Sequence, residues 1–103
     1  MDPQLKKGIF NIFILQILHK QDMYGYDIIR ITKEYFPETD ESTIYAILRR
    51  LNNEGLTEMY CSESSNGPVR KYYRLTMAGM NTLEKYIDSW KKIESIFNDI
   101  GII

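Results

Sequence analysis

The sequence predicts a mainly α-helical chain with one small β-hairpin, ordered as three helices, the hairpin, and a long final helix. Three observations carry this reading. Apolar residues in the first half recur at helical steps, as in Ile44, Ile47, Leu48 and Leu51. After Gly55 the pattern changes to two strand-like runs flanking a turn-rich stretch. From Thr76 the helical period returns and is sustained to about Ile100. This is the order of a winged helix-turn-helix over residues 1–75, extended by a C-terminal helix over residues 76–103 in one structural unit.

Each element has its own signal. Asp2-Pro3 is a capping carboxylate followed by a first-turn proline, and the helix it starts runs to about His19. Ile9, Phe10, Ile12, Phe13, Ile14, Leu15, Ile17 and Leu18 occupy almost every face of that helix, so more than one side must be covered. A polar turn at Lys20-Gln21-Asp22 precedes a second helix, about Tyr24 to Phe36, to which Ile28, Ile29, Ile31, Tyr35 and Phe36 give an apolar stripe, with Arg30, Lys33 and Glu34 outside. Pro37 ends it, because the residue before a proline is pushed out of the helical region. Asp40 is expected to cap the third helix, Glu41 to about Glu54, and Gly55 to stop it. Leu56 to Cys61 and Val69 to Leu75 read as paired strands joined by a loop over Ser62–Pro68. Thr76 caps the final helix.

Composition narrows the function classes. The 103 residues suit one domain, and 13 Lys+Arg against 14 Asp+Glu give a net charge of −1. As a bulk property that argues against a generic nucleic-acid or membrane-surface binder, but it does not describe local patches. A single cysteine, Cys61, rules out an internal disulfide and is expected in a strand as a small, semi-buried residue. The single histidine, His19, suits the carbonyl end of the first helix. The apolar stretch Ile9–Leu18 is too short to span a bilayer and lacks the flanks of a signal peptide, so a reduced cytoplasmic protein is expected. No metal cluster, nucleophile–base pair or Gly-rich phosphate loop is present in the sequence, and neither an enzyme nor a bound cofactor is expected.

Position reveals what net charge hides. Beside its buried stripe, the third helix leaves Ser42, Thr43, Tyr45, Ala46, Arg49, Arg50, Asn52 and Asn53 toward solvent or its margins. Small and hydroxyl residues near its start can approach base edges, and Arg49 and Arg50 can reach guanine or phosphate. Along the chain from Ser64 to Leu75 lie Arg70, Lys71 and Arg74 with no acidic residue, which suits a wing on a phosphate backbone. Strand parity puts Tyr73 inside and Tyr72 outside, where its hydroxyl could meet a phosphate. On the last helix Leu83, Tyr86, Trp90, Ile93, Phe97 and Ile100 form a heptad seam, the pattern of a dimerisation helix. A homodimer covers that seam and the surplus face of the first helix, and its two-fold symmetry matches two half-sites of double-stranded operator DNA. Trp90, with Glu94 one turn on, offers a flat aromatic surface and a carboxylate that could hold a planar aromatic or cationic small molecule at the dimer centre.

Three stretches carry a resemblance. They are Met23-Tyr24-Gly25-Tyr26-Asp27-Ile28-Ile29, the run from Glu41 through Arg49-Arg50-Leu51 to Gly55-Leu56, and Arg70-Lys71-Tyr72-Tyr73-Arg74-Leu75-Thr76-Met77-Ala78-Gly79. In this order and spacing the chain resembles the PadR family of transcriptional regulators, in its compact form with a single C-terminal helix. The resemblance implies a dimeric winged-helix repressor on a pseudo-palindromic operator. Carried across by position, it puts DNA reading on Thr43, Tyr45, Ala46 and Arg49, and wing contacts on Arg70, Lys71 and Tyr72. Ala46 stands where the family usually has proline. Ser89-Trp90 is similar to a Ser-Trp of multidrug-responsive members, whose tryptophan faces a pore between subunits. This implies an effector site at Trp90 and Glu94, with Asn11 and Ile12 as walls and Ile93 and Phe97 along the same seam. The competing class is a winged-helix module that binds another protein and not DNA.

Overall fold

The computed structural model describes residues 1–63 and 67–103. Its elements are α1 (Pro3–Lys20), β1 (Met23–Tyr24), α2 (Gly25–Tyr35), α3 (Glu41–Asn53), β2 (Thr57–Glu63), β3 (Val69–Leu75) and α4 (Met77–Asp99). The expected order of three helices, hairpin and long helix is present. The second strand is longer than expected, taking in Ser62 and Glu63, while residues 64–66 of the expected loop lie outside the described residues.

Strand β1 is the element that sequence patterning does not anticipate. Met23 and Tyr24 pair antiparallel with Tyr73 and Tyr72, so the hairpin becomes a three-stranded sheet of order β1-β3-β2. Because β1 runs directly into α2, the helix-turn-helix and the wing share one hydrogen-bonded body.

Local chemistry accounts for most helix ends. The Gln4 amide donates to the Asp2 carboxylate at 2.8 Å, and the Gly79 amide donates to the Thr76 hydroxyl at 3.0 Å. Asp40 occupies the cap position of α3, yet its side chain makes no capping hydrogen bond, which corrects the expected role. The stop of α3 is as expected. Gly55 takes a positive φ of 77°, and the Leu56 amide reaches back to the Leu51 carbonyl at 3.0 Å. Gly101, at φ 87°, ends α4 the same way, with the Ile102 amide on the Phe97 carbonyl at 2.9 Å.

The core joins every helix. Ile14, Leu15 and Leu18 of α1 meet Ile28 and Ile29 of α2, Ile44, Leu48 and Leu51 of α3, Tyr73 of β3, and Leu83 of α4. Truncating one of these aliphatic side chains to alanine removes about 2–5 kcal/mol. Leu83 is only 1% exposed within the single chain, so it belongs to this core. That corrects its expected place on the dimerisation seam. The seam left open runs through Tyr86, Trp90, Ile93, Phe97 and Ile100, all exposed. Cys61 is also exposed, contrary to expectation, because it lies toward the far end of β2, beyond the helices that cover the start of that strand.

Candidate nucleic-acid interface

The buried stripe of α3 fixes which of its residues face outward. With Ile44, Leu48 and Leu51 in the core, 3.6 residues per turn puts Ser42, Ala46 and Arg49 on the opposite crest. Tyr45 lies on one flank, against Gly25 and the β3 side of the fold, where it and Arg49 act electrostatically on Tyr73. Thr43 and Arg50 lie on the other flank, toward α1. Thr43, Tyr45, Ala46, Arg49 and Arg50 are all exposed. Asn52, at the margin of the exposed face, accepts a hydrogen bond from the buried Thr57 hydroxyl at 2.7 Å, and so fastens the start of β2 to α3.

The two arginines have different surroundings. Arg49 has no ion-pair partner among the described residues. Arg50 donates to the Asn11 side chain on α1 and sits 3.4 Å from Glu54. Asn11, expected as a wall beside Trp90, therefore faces α3, because the apolar rotation of α1 turns Ile12 and Asn11 toward different grooves. Ile12 and Trp90 do share a groove. With Phe13, Ile17, Ile31 and Tyr35 they line an open groove of about 620 Å³. Ile93, Glu94 and Phe97 lie farther along α4, outside this lining.

On the wing, Tyr73 is buried and Tyr72 half-buried, in keeping with the strand parity. Tyr72 does not stand alone. The register places Tyr24, Tyr72 and Tyr60 in one row across the sheet, with ring centroids 6.1 and 5.7 Å apart. Arg70 lies over the Tyr24 ring at 4.9 Å. Arg74 pairs directly across the hairpin with Glu58 at 2.6 Å, which raises the guanidinium's pKa further. The acid-free run seen along the sequence is thus not acid-free in space, because β2 brings Glu58 beside it. Lys71 is exposed and has no ion-pair partner among the described residues. The Tyr60 hydroxyl donates to Asp22 at 2.6 Å, and this bond raises the phenol's pKa above its ordinary value. Burial does the same for Tyr73.

A second groove, about 670 Å³, separates α1 from α3 and is lined by Lys6, Lys7, Asn11, Thr43, Ala46 and Arg50. Sequence patterning gave Lys6 and Lys7 no role. A signal for them exists, since Pro3, Lys6, Lys7 and Phe10 recur at helical spacing on one face.

Residues 14–85 match the transcriptional regulator PadR-like family. The chain belongs to the PadR-like family of transcriptional regulators. A PadR-like transcriptional regulator of Bacillus cereus superposes with a TM-score of 0.86 at 34% identity, covering 94% of this chain and 95% of the other. A PadR family transcription regulator of Clostridium difficile gives 0.81 at 36% identity, covering 88% and 96%. An uncharacterised protein of Lysinibacillus sphaericus is 31% identical over 98 residues, 89% of this chain and 87% of its own length. This PadR-like protein is therefore a DNA-binding transcriptional regulator and not an enzyme. Among its described residues no helix is long and apolar enough to cross a membrane.

Proposed function

We propose that this PadR-like protein is a homodimeric repressor that occupies an operator through α3 and the wing, and that a small molecule at the dimer centre releases it. The observation that carries the reading is Arg49, exposed on the crest of α3 without an ion-pair partner among the described residues, beside Thr43, Tyr45 and Ala46. A guanidinium so placed is available to guanine O6 and N7, while Arg70, Lys71 and Tyr72 serve the neighbouring backbone. Arg50, held by Asn11, serves the phosphates on the other flank of α3.

Dimerisation rests on the open α4 seam. Trp90 is 48% exposed and Phe97 38%, an apolar stripe continuous with the groove along α1. A second copy covers both, and the pairing sets the distance between the two recognition helices. A planar aromatic or cationic effector beside Trp90 acts by binding one spacing more tightly than another, which is the only way a ligand moves such an equilibrium. Binding to chromosomal DNA puts the protein in the cytoplasm.

The test is binding to the DNA upstream of the protein's own gene, measured by fluorescence anisotropy at several salt concentrations. Wild-type protein binds with a steep salt dependence, and Arg49→Ala combined with Lys71→Ala abolishes operator preference while circular dichroism stays unchanged. Wild-type protein that shows no salt-dependent binding overturns the reading and favours a protein-binding winged helix.

A further inference from the structure

We infer that Lys6 and Lys7 of α1, with the Thr43 flank of α3, form a second phosphate-binding wall of the DNA interface, opposite the wing. The inference rests on α3 being the helix that enters the major groove. A B-DNA major groove is about 12 Å wide and an α-helix with its side chains is about 10–12 Å across, so a sugar–phosphate strand lies against each flank of an inserted helix. One flank of α3 carries Tyr45 and faces the β3 side of the fold, which leads to Arg70 and Lys71. The other carries Thr43 and Arg50 and opens on the groove whose far wall is α1.

Charge identifies what fits there. The groove lining holds Lys6, Lys7 and Arg50 and no carboxylate. Neither lysine has an ion-pair partner among the described residues. Asp2, one turn before Lys6 on α1, accepts from the Gln4 amide, and Glu54 is paired with Arg50. Arg50 is drawn onto the groove wall by Asn11, which holds the guanidinium between the two helices. The floor is apolar, with Phe10 buried and Ile47 half-buried, which gives the lysine stems a surface to lie on while their ammonium groups project. Such a wall positions the duplex without reading bases, since phosphate contacts carry no sequence information.

The experiment compares wild-type protein, Lys6→Gln/Lys7→Gln and Lys91→Gln/Lys92→Gln on two duplexes, the upstream operator and an unrelated sequence. The second pair removes the same charge from α4, away from the groove. The groove variant is expected to weaken binding by the same factor on both duplexes. It is also expected to lower the slope of log K against log salt by about 1 for each lysine that meets a phosphate in the wild-type complex. The α4 variant is expected to keep the wild-type slope. An unchanged slope in the groove variant, with Arg49→Ala still destroying operator preference, overturns the second wall and leaves the role of α3 intact. An equal fall in both lysine pairs also overturns it, as an effect of net charge. No salt-dependent binding by wild-type protein removes both readings together.

Discussion

Gly79 in the first turn of α4 sits directly under the main chain of Leu56, so that a Cβ at this position would overlap the Leu56 carbonyl oxygen and lie 2.6 Å from Leu75 Cδ1. The Leu56 carbonyl is itself fixed, accepting from the Thr76 amide at 3.1 Å. The close approach explains why a glycine follows Thr76-Met77-Ala78 here. Gly79→Ala is expected to destabilise the fold by about 1–3 kcal/mol through overpacking. Urea denaturation would detect the lower midpoint, and an unchanged midpoint would show that α4 can shift away from Leu56.

Leu83 and Phe97 lie on the same helix but are expected to act through different equilibria. Leu83→Ala should lower stability by about 2–5 kcal/mol at any protein concentration, because Leu83 belongs to the single-chain core. Phe97→Ala should leave a folded chain but weaken assembly, and sedimentation at graded concentrations separates the two. Emission from Trp90 should shift to the blue as wild-type protein is concentrated, and this shift should be lost in Phe97→Ala.

Arg74 and Lys71 are both wing cations, yet their contributions to DNA binding should differ. Glu58 already compensates Arg74, so Arg74→Ala is expected to leave the salt slope of DNA binding near the wild-type value. Lys71→Ala should lower the slope by about 1. Equal effects would mean that Glu58 releases Arg74 when DNA binds.

Tyr60 gives the fold an alkaline weakness. Its pKa is raised in the folded state, chiefly by donation to Asp22, and burial raises Tyr73 in the same direction. Above the ordinary tyrosine value near 10 the unfolded chain loses these protons first. The stabilisation is therefore full below about pH 10 and falls away as pH rises through the folded values. Tyr60→Phe should flatten part of that decline, as measured by denaturation midpoints at pH 9 and above.

The sequence revealed the elements more readily than the way they face one another. Helical spacing and the Gly55 stop were enough to delimit α3, and strand parity was enough to put Tyr73 inward. What depends on pairing was hidden. Met23–Tyr24 is too short to show any period, so β1 emerges only once β3 is there to receive it. Glu58 meets Arg74 through the hairpin register, which a long turn-rich loop does not specify. On α1, apolar residues on nearly every face left the rotation of the helix undetermined, so Asn11 and Ile12 could not be assigned to separate grooves. Asp40 illustrates the converse, since it has the residue type of a cap and occupies the cap position without making the bond.

Strand β1 has a mechanical consequence. By stitching the start of α2 to β3, it ties the helix-turn-helix and the wing together like the two jaws of one calliper. For the operator binding proposed above, such a protomer would not re-space its own jaws to suit a different operator or to let one go. In the dimer proposed above, adjustment would fall where one protomer meets the other, along the exposed face of α4, and release from DNA would be a change in the separation of two callipers whose own gauge stays constant.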